Sequence, residues 1–160
     1  MKKQKDIHAE YMVKAINLAK RSVAKGGGPF GAVIVKDGVI VAQGSNCVTL
    51  NNDPTAHAEV ITIRKACKKL QTFDLSGCEI YTSCEPCPMC LSAIYWAHID
   101  KIYYGCTKDD AKDIGFDDSF IYDQIDLKPE KRSIPAANIL RDQALGAFRL
   151  WDSKEDKTEY

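Results

Sequence analysis

Two short motifs constrain this chain more than anything else in it: His57-Ala58-Glu59 and Pro86-Cys87-Pro88-Met89-Cys90. One imidazole and two thiols make a borderline-to-soft metal-ligand set. His57, Cys87 and Cys90 can reach one ion only if two distant segments converge. His57 and Glu59 are two residues apart, so on a regular helix they would point about 200° away from each other. Both can address one ion only where the helix meets it end-on. Asp53-Pro54 reads as an N-cap and first-turn proline, which puts His57 and Glu59 near a helix start. Cys87 and Cys90 are three apart and share a helix face, on a helix that begins after Pro86. The spacing therefore predicts two helix N-termini facing one ion. Their positive ends favour thiolates and bound hydroxide.

Cys84 offers a second ligand set. With His57, Cys87 and Cys90 it could close a structural site of three thiolates and one imidazole, leaving no position for water. Cys84 precedes Pro86 and falls at a strand end rather than on the helix, which favours Cys87 and Cys90. A structural site also has no use for Glu59. Zinc held by three protein ligands keeps a fourth position for water and lowers the pKa of that water toward neutrality. Glu59 can then move protons among water, substrate and leaving group.

The chain has 160 residues, enough for one domain with a sizeable core. No repeat, low-complexity tract or linker interrupts it, so residues 1–160 read as a single domain. Ile7, Met12, Ala15, Ile16, Ala19 and Val23 recur at helical spacing, and Gly26-Gly27-Gly28-Pro29 ends that helix. The glycine run lacks the Gly-Lys-Ser/Thr of a phosphate loop and suits a tight turn or close backbone approach to a ligand. Residues 32–35 and 39–41 form a hairpin through Asp37-Gly38. Residues 79–83 and 102–104 read as strands, and 89–97 as a helix between them. Later come a loop and helix over 116–125, a fifth strand over 137–140 and a last helix over 143–151. A hairpin followed by alternating helices and strands predicts a three-layer α/β/α fold around a mixed sheet of about five strands.

Equal numbers of basic and acidic residues, 22 of each, argue against strong nonspecific hold on a phosphate backbone. The N-terminal stretch is charged and no apolar run is long enough to cross a bilayer, so a cytoplasmic setting is expected. Clustering of Cys84, Cys87 and Cys90 reads as metal binding in a reducing compartment, with Cys47, Cys67, Cys78 and Cys106 as ordinary buried thiols. His8 and His98 read as surface or helix-end residues. Phe30, after the glycine run, could stack on an aromatic ligand or simply fill the core at a strand start.

At these motifs the chain resembles the cytidine-deaminase fold superfamily, whose members use zinc on nucleobases. The likeness includes residues 28–35, 52–60 and 81–97. Two further segments, Gly115 to Tyr122 and Trp151 to Tyr160, resemble the bacterial guanine deaminases of this fold. That resemblance implies hydrolytic deamination of guanine to xanthine and ammonia, with zinc hydroxide as nucleophile and Glu59 as proton shuttle. It implies one zinc per subunit on His57, Cys87 and Cys90. It implies that Asn46, Ala58, Phe30 and Trp96 contact the base and that Asp118 bonds substrate and assists proton transfer. It further implies that Tyr160 closes over a pocket, in a homodimer exchanged through the C-terminal segment. An amide at Asn46 could both donate to and accept from a base edge; otherwise it is a turn residue.

Three other readings stay open on sequence alone. A tRNA adenosine-to-inosine editor of the same fold needs a basic groove and a flipped-base pocket. A different free-nucleobase deaminase differs only in pocket complementarity. A zinc-stabilised binding module would have four protein ligands.

Overall fold

Asp37-Gly38, both at positive φ (50° and 75°), close a hairpin between β1 (Gly31–Lys36) and β2 (Val39–Ser45). The primed turn matches the strand twist, and a bulge between Ile34 and Val35 shifts the register. The computed structural model describes residues 4–160. On the other side of β1 lies β3 (Cys78–Cys84), antiparallel, and beyond it β4 (Lys101–Cys106), parallel to β3. The sheet order is β2-β1-β3-β4. The parallel step uses a helical crossover, α4 (Pro88–Trp96), as parallel pairing requires.

Alternation along the strands sends side chains to two cores. Val33, Val35 and Tyr81 face α1 (Gln4–Ala24) and pack on Tyr11 and Ala15. Ile34 and Ile80 face the opposite way, against Ala66 of α3 (Ala58–Leu70) and Ile94 of α4. Helices thus cover both faces of the sheet, the three layers expected. Ile34, Leu75 and Ile80 are fully buried, each contributing about 1.5–3 kcal/mol. Gly44 lets α3 sit close on β2: a Cβ there would lie 2.7 Å from Thr62 Oγ1.

The chain divides into two units, Met1–Asp118 and Ser119–Tyr160. The first also carries a short helix α2 (Val48–Asn51) and α5 (Lys108–Asp113), the latter closed by a Thr107–Asp110 capping box. The second unit holds α6 (Ser119–Asp126), a 3-10 turn at Pro129–Lys131 and α7 (Arg141–Asp152). Within it, Arg132 Nε donates to the carbonyls of Gln124 and Leu127, tying the turn to the end of α6.

Several expectations change. Residues 137–140 are not a strand, so the sheet among the described residues has four strands rather than about five. That stretch includes alanine and asparagine, weak strand formers, and has no ladder partner. Helix α3 begins at Ala58, not at Asp53-Pro54. The Asp53 carboxylate instead takes the Thr55 backbone N–H at 2.8 Å and its hydroxyl at 2.7 Å, a local Asx turn that competes with helix entry. Cys106 is exposed rather than buried. His8 packs on Tyr103 and contacts the Tyr81 hydroxyl at 2.6 Å, whereas His98 is the exposed helix-end residue expected, paired with Asp74 just past α4.

Candidate metal centre

The later start of α3 sharpens the site. His57 is the N-cap of α3 and Cys87 is the N-cap of α4. Glu59 is then the second helical residue of α3, and Cys90 the third of α4. Pro88 opens α4 at the one turn where its missing N–H costs nothing. Both helices meet the site end-on, with first-turn backbone N–H groups facing it.

The ligand atoms fit a metal quantitatively. His57 Nδ1 lies 3.6 Å from Cys87 Sγ and 3.5 Å from Cys90 Sγ. All three ligand atoms fall within 4.8 Å of one another. Zn–N near 2.1 Å and Zn–S near 2.3 Å at tetrahedral angles give an N···S edge of about 3.6 Å. Both imidazole-to-sulfur distances therefore match an edge of a zinc tetrahedron. Among the described residues this is the group able to hold a metal, and Cys84 is not in it. The Cys84 thiol points to the Thr107 carbonyl at 3.5 Å, and burial pushes its pKa up to about 11.

The electrostatics suit the same ion. A hydrogen bond from Cys90 and the adjacent His57 hold Cys87 well below the ordinary thiol range, despite its burial. The shared hydrogen bond with Cys87, burial and the nearby Glu59 push Cys90 up. Metal coordination requires both sulfurs as thiolates, so a bound dication would displace their protons. The bond to Cys87 raises the His57 pKa.

Glu59 is 6% exposed, and its Oε2 accepts from Cys90 Sγ at 3.2 Å. Burial raises its pKa. A buried carboxyl that holds its proton more tightly than in water, beside a metal site, is suited to carry protons.

Asn46 follows β2 and is buried. Its Oδ1 accepts from Gly28 N–H at 3.3 Å and Val48 N–H at 3.2 Å. The amide oxygen is thus committed, and the group offers a ligand donors only, not the donor-and-acceptor pair expected. Cys47 N–H donates to the Ala56 carbonyl at 2.9 Å, which ties the Asn46 segment to the residue before His57. Ala58 is fully buried, and its carbonyl accepts the Thr62 hydroxyl at 2.6 Å.

Phe30 meets Phe116 edge-to-face, ring centroids 5.0 Å apart. Phe116 belongs to the loop that carries Asp118, and this ring contact had no periodic signal to announce it. Burial and the nearby Cys87 raise the Asp118 pKa. Asp117 pairs with Lys112 at 3.2 Å. Trp96, the last residue of α4, is 63% exposed and lines a surface groove with Ser92 and Tyr95. Tyr160 ends the second unit and is exposed.

Comparison with known proteins agrees with this geometry. The family described as "Cytidine and deoxycytidylate deaminase zinc-binding region" matches residues 5–106. The guanine deaminase of Bacillus subtilis (strain 168) is 53% identical over 96% of this chain and 99% of its own length. The X-ray structure of guanine deaminase from Bacillus subtilis superposes with a TM-score of 0.93 at 52% identity, covering 96% of this chain and 98% of that one. A tRNA-specific adenosine deaminase of Aquifex aeolicus is 46% identical, over 59% of this chain and 64% of its own length. Because the family match takes in both ligand motifs and one relative aligns nearly end to end, the chain belongs to the zinc-binding cytidine and deoxycytidylate deaminase family.

Proposed function

We propose that this enzyme deaminates guanine hydrolytically to xanthine and ammonia. The observation that carries the reading is the convergence of His57, Cys87 and Cys90, with buried Glu59 hydrogen-bonded to one of them. The near-full-length similarity to a guanine deaminase supports the substrate, whereas the tRNA-specific relative from Aquifex aeolicus matches little more than half of the chain.

Zinc, when bound, supplies a water acidic enough to be deprotonated near neutral pH. Glu59 takes that proton, delivers one to the ring nitrogen beside C2, and later helps protonate the departing amine. Its raised pKa lets it hold a proton between these transfers. Asn46 presents its two N–H donors to the base. Guanine carries two acceptors, O6 and N7, on the edge away from C2, so a donor-only amide matches it. Asp118, an acceptor when ionised, reads guanine N–H groups and assists proton transfer. A hydrogen-bonding pocket of this kind rejects analogues that leave its buried polar groups unpaired. Ala58, Phe30 and Trp96 complete the substrate contacts in this reading.

The assembly belongs to the same proposal. The 160 residues act as one deaminase domain in a homodimer, exchanged through the C-terminal segment that ends at Tyr160. The second unit supports this: Ile139, Phe148 and Leu150 are each more than 70% exposed, more apolar surface than a small helical segment leaves to water. No helix among the described residues is long and apolar enough to cross a membrane. A cytoplasmic, reducing setting would keep Cys87 and Cys90 available to zinc.

The test is ammonia release by the zinc-loaded enzyme from guanine, adenine, cytosine and cytidine, measured separately. Release chiefly from guanine is expected. Turnover of another base in preference would overturn the pocket assignment, and no release from any would overturn the reaction.

A further inference from the structure

We infer that Ser22 is a positioning residue for the base-reading amide of Asn46, an inference that rests on the reading of Asn46 as a substrate contact. Ser22 lies in the last turn of α1 and is 2% exposed. Its hydroxyl donates to the Asn46 carbonyl at 3.0 Å. The Asn46 N–H donates to the Phe30 carbonyl at 3.0 Å. With the two N–H groups on Oδ1, Asn46 is held at both backbone groups and at its side-chain oxygen. The Nδ2 hydrogens are what it has left to offer a ligand. Asparagine amides otherwise flip at small cost, because oxygen and nitrogen are nearly the same size. Here a flip would set Nδ2 against two N–H donors.

The glycine run is part of the same clamp. The Gly27 N–H donates to the Ser22 carbonyl at 2.9 Å, which folds the turn back over the end of α1. A Cβ on Gly27 would lie 2.5 Å from Ser22 Oγ and 2.7 Å from the Asn46 carbonyl oxygen. A Cβ on Gly28 would lie 3.2 Å from Asn46 Cγ. The close approach that the glycines permit is therefore to Asn46. Ser22 reaches the Asn46 carbonyl from the helix side. Without it the Asn46 backbone loses an anchor and the amide loses its fixed aim at the base. Loosening a contact made equally in the ground and transition states raises KM and leaves kcat largely unchanged.

The experiment is steady-state kinetics with guanine on zinc-loaded Ser22→Ala, Ser22→Thr and Asn46→Ala, with zinc content measured for each. Ser22→Ala is expected to raise KM about tenfold while kcat stays within about threefold and zinc stays at wild-type stoichiometry. Ser22→Thr, which keeps the hydroxyl, is expected to bring KM back to within about threefold of wild type. A purely structural role would lower thermal stability and leave KM where it was. An unchanged KM in Ser22→Ala, with Asn46→Ala impaired, would overturn the inference and spare the substrate reading. An unchanged KM in Asn46→Ala would overturn the substrate reading, and this inference with it. Should Ser22→Ala not fold, Ser22→Cys carries the same expected rise, because a thiol is a weak donor.

Discussion

His57 and Cys87 occupy the same position in two different helices: each is the N-cap, and their Nδ1 and Sγ atoms lie 3.6 Å apart. A residue at that position normally turns its side chain back onto the helix N–H groups. Neither of these makes such a capping bond. Both side chains are turned instead toward a shared point that Cys90, one turn into α4, also reaches.

Replacing a ligand therefore breaks the centre rather than the helix. Cys87→Ala and His57→Ala should each lose stoichiometric zinc, read by elemental analysis after dialysis against a weak chelator. The far-ultraviolet circular dichroism should stay near wild type. Cys84→Ala should keep its zinc, because that thiol is turned to Thr107. Loss of zinc from Cys84→Ala would restore the closed four-ligand site.

Glu59 should penalise stability in the zinc-free protein at neutral pH. Its folded-state pKa is raised by burial, so the folded state binds the proton more tightly than the unfolded chain. Stability is then lost as pH rises from the unfolded carboxyl value, about 4.3, through the raised folded value. The zinc-free Glu59→Gln protein should melt about 2–4 °C above zinc-free wild type at neutral pH. The difference should close as pH falls to about 4. A constant difference across that range would show that Glu59 does not titrate as described.

Much of this was legible beforehand, for reasons visible residue by residue. Residues 32–35 and 39–41 are β-branched and flank Asp37-Gly38, so local chemistry and tertiary packing agree on the hairpin. The metal ligands were legible because coordination demands particular atoms at particular spacings. Helix α3 starts later than Asp53-Pro54 suggests because Asp53 satisfies Thr55 rather than a helix N-terminus, two uses of one side chain that the sequence does not distinguish. The strand expected over 137–140 needs a ladder partner, which is tertiary information. Ser22 left only a faint trace: it follows Leu18 and Ala15 on the buried stripe of α1, a polar residue where the pattern calls for an apolar one.

The donor-only character of Asn46 can be reversed without losing its clamp. In Asn46→Asp one carboxylate oxygen can still accept from Gly28 and Val48 N–H groups, while the other turns an acceptor toward the base. An acceptor facing O6 and N7 should lower kcat/KM for guanine by about 100-fold. Zinc should be retained. Wild-type kinetics in this variant would show that the amide donors do not meet the base.

Asp118→Asn replaces an acceptor-only group by one that is half donor. A fall of about tenfold or more in kcat/KM for guanine is expected. Asp117→Asn should stay near wild type, since Asp117 is occupied by Lys112 at the surface. Equal effects of the two substitutions would argue for loop stability rather than substrate contact.

The most direct test of the central claim is the rate of xanthine formation from guanine by zinc-loaded wild-type enzyme and by zinc-loaded Glu59→Gln. Wild type should convert guanine steadily to xanthine with one ammonia per turnover. Glu59→Gln, with the same zinc content, should be slower by about 100-fold or more. Comparable rates from the two proteins would contradict the assignment of Glu59 as the proton carrier beside the metal.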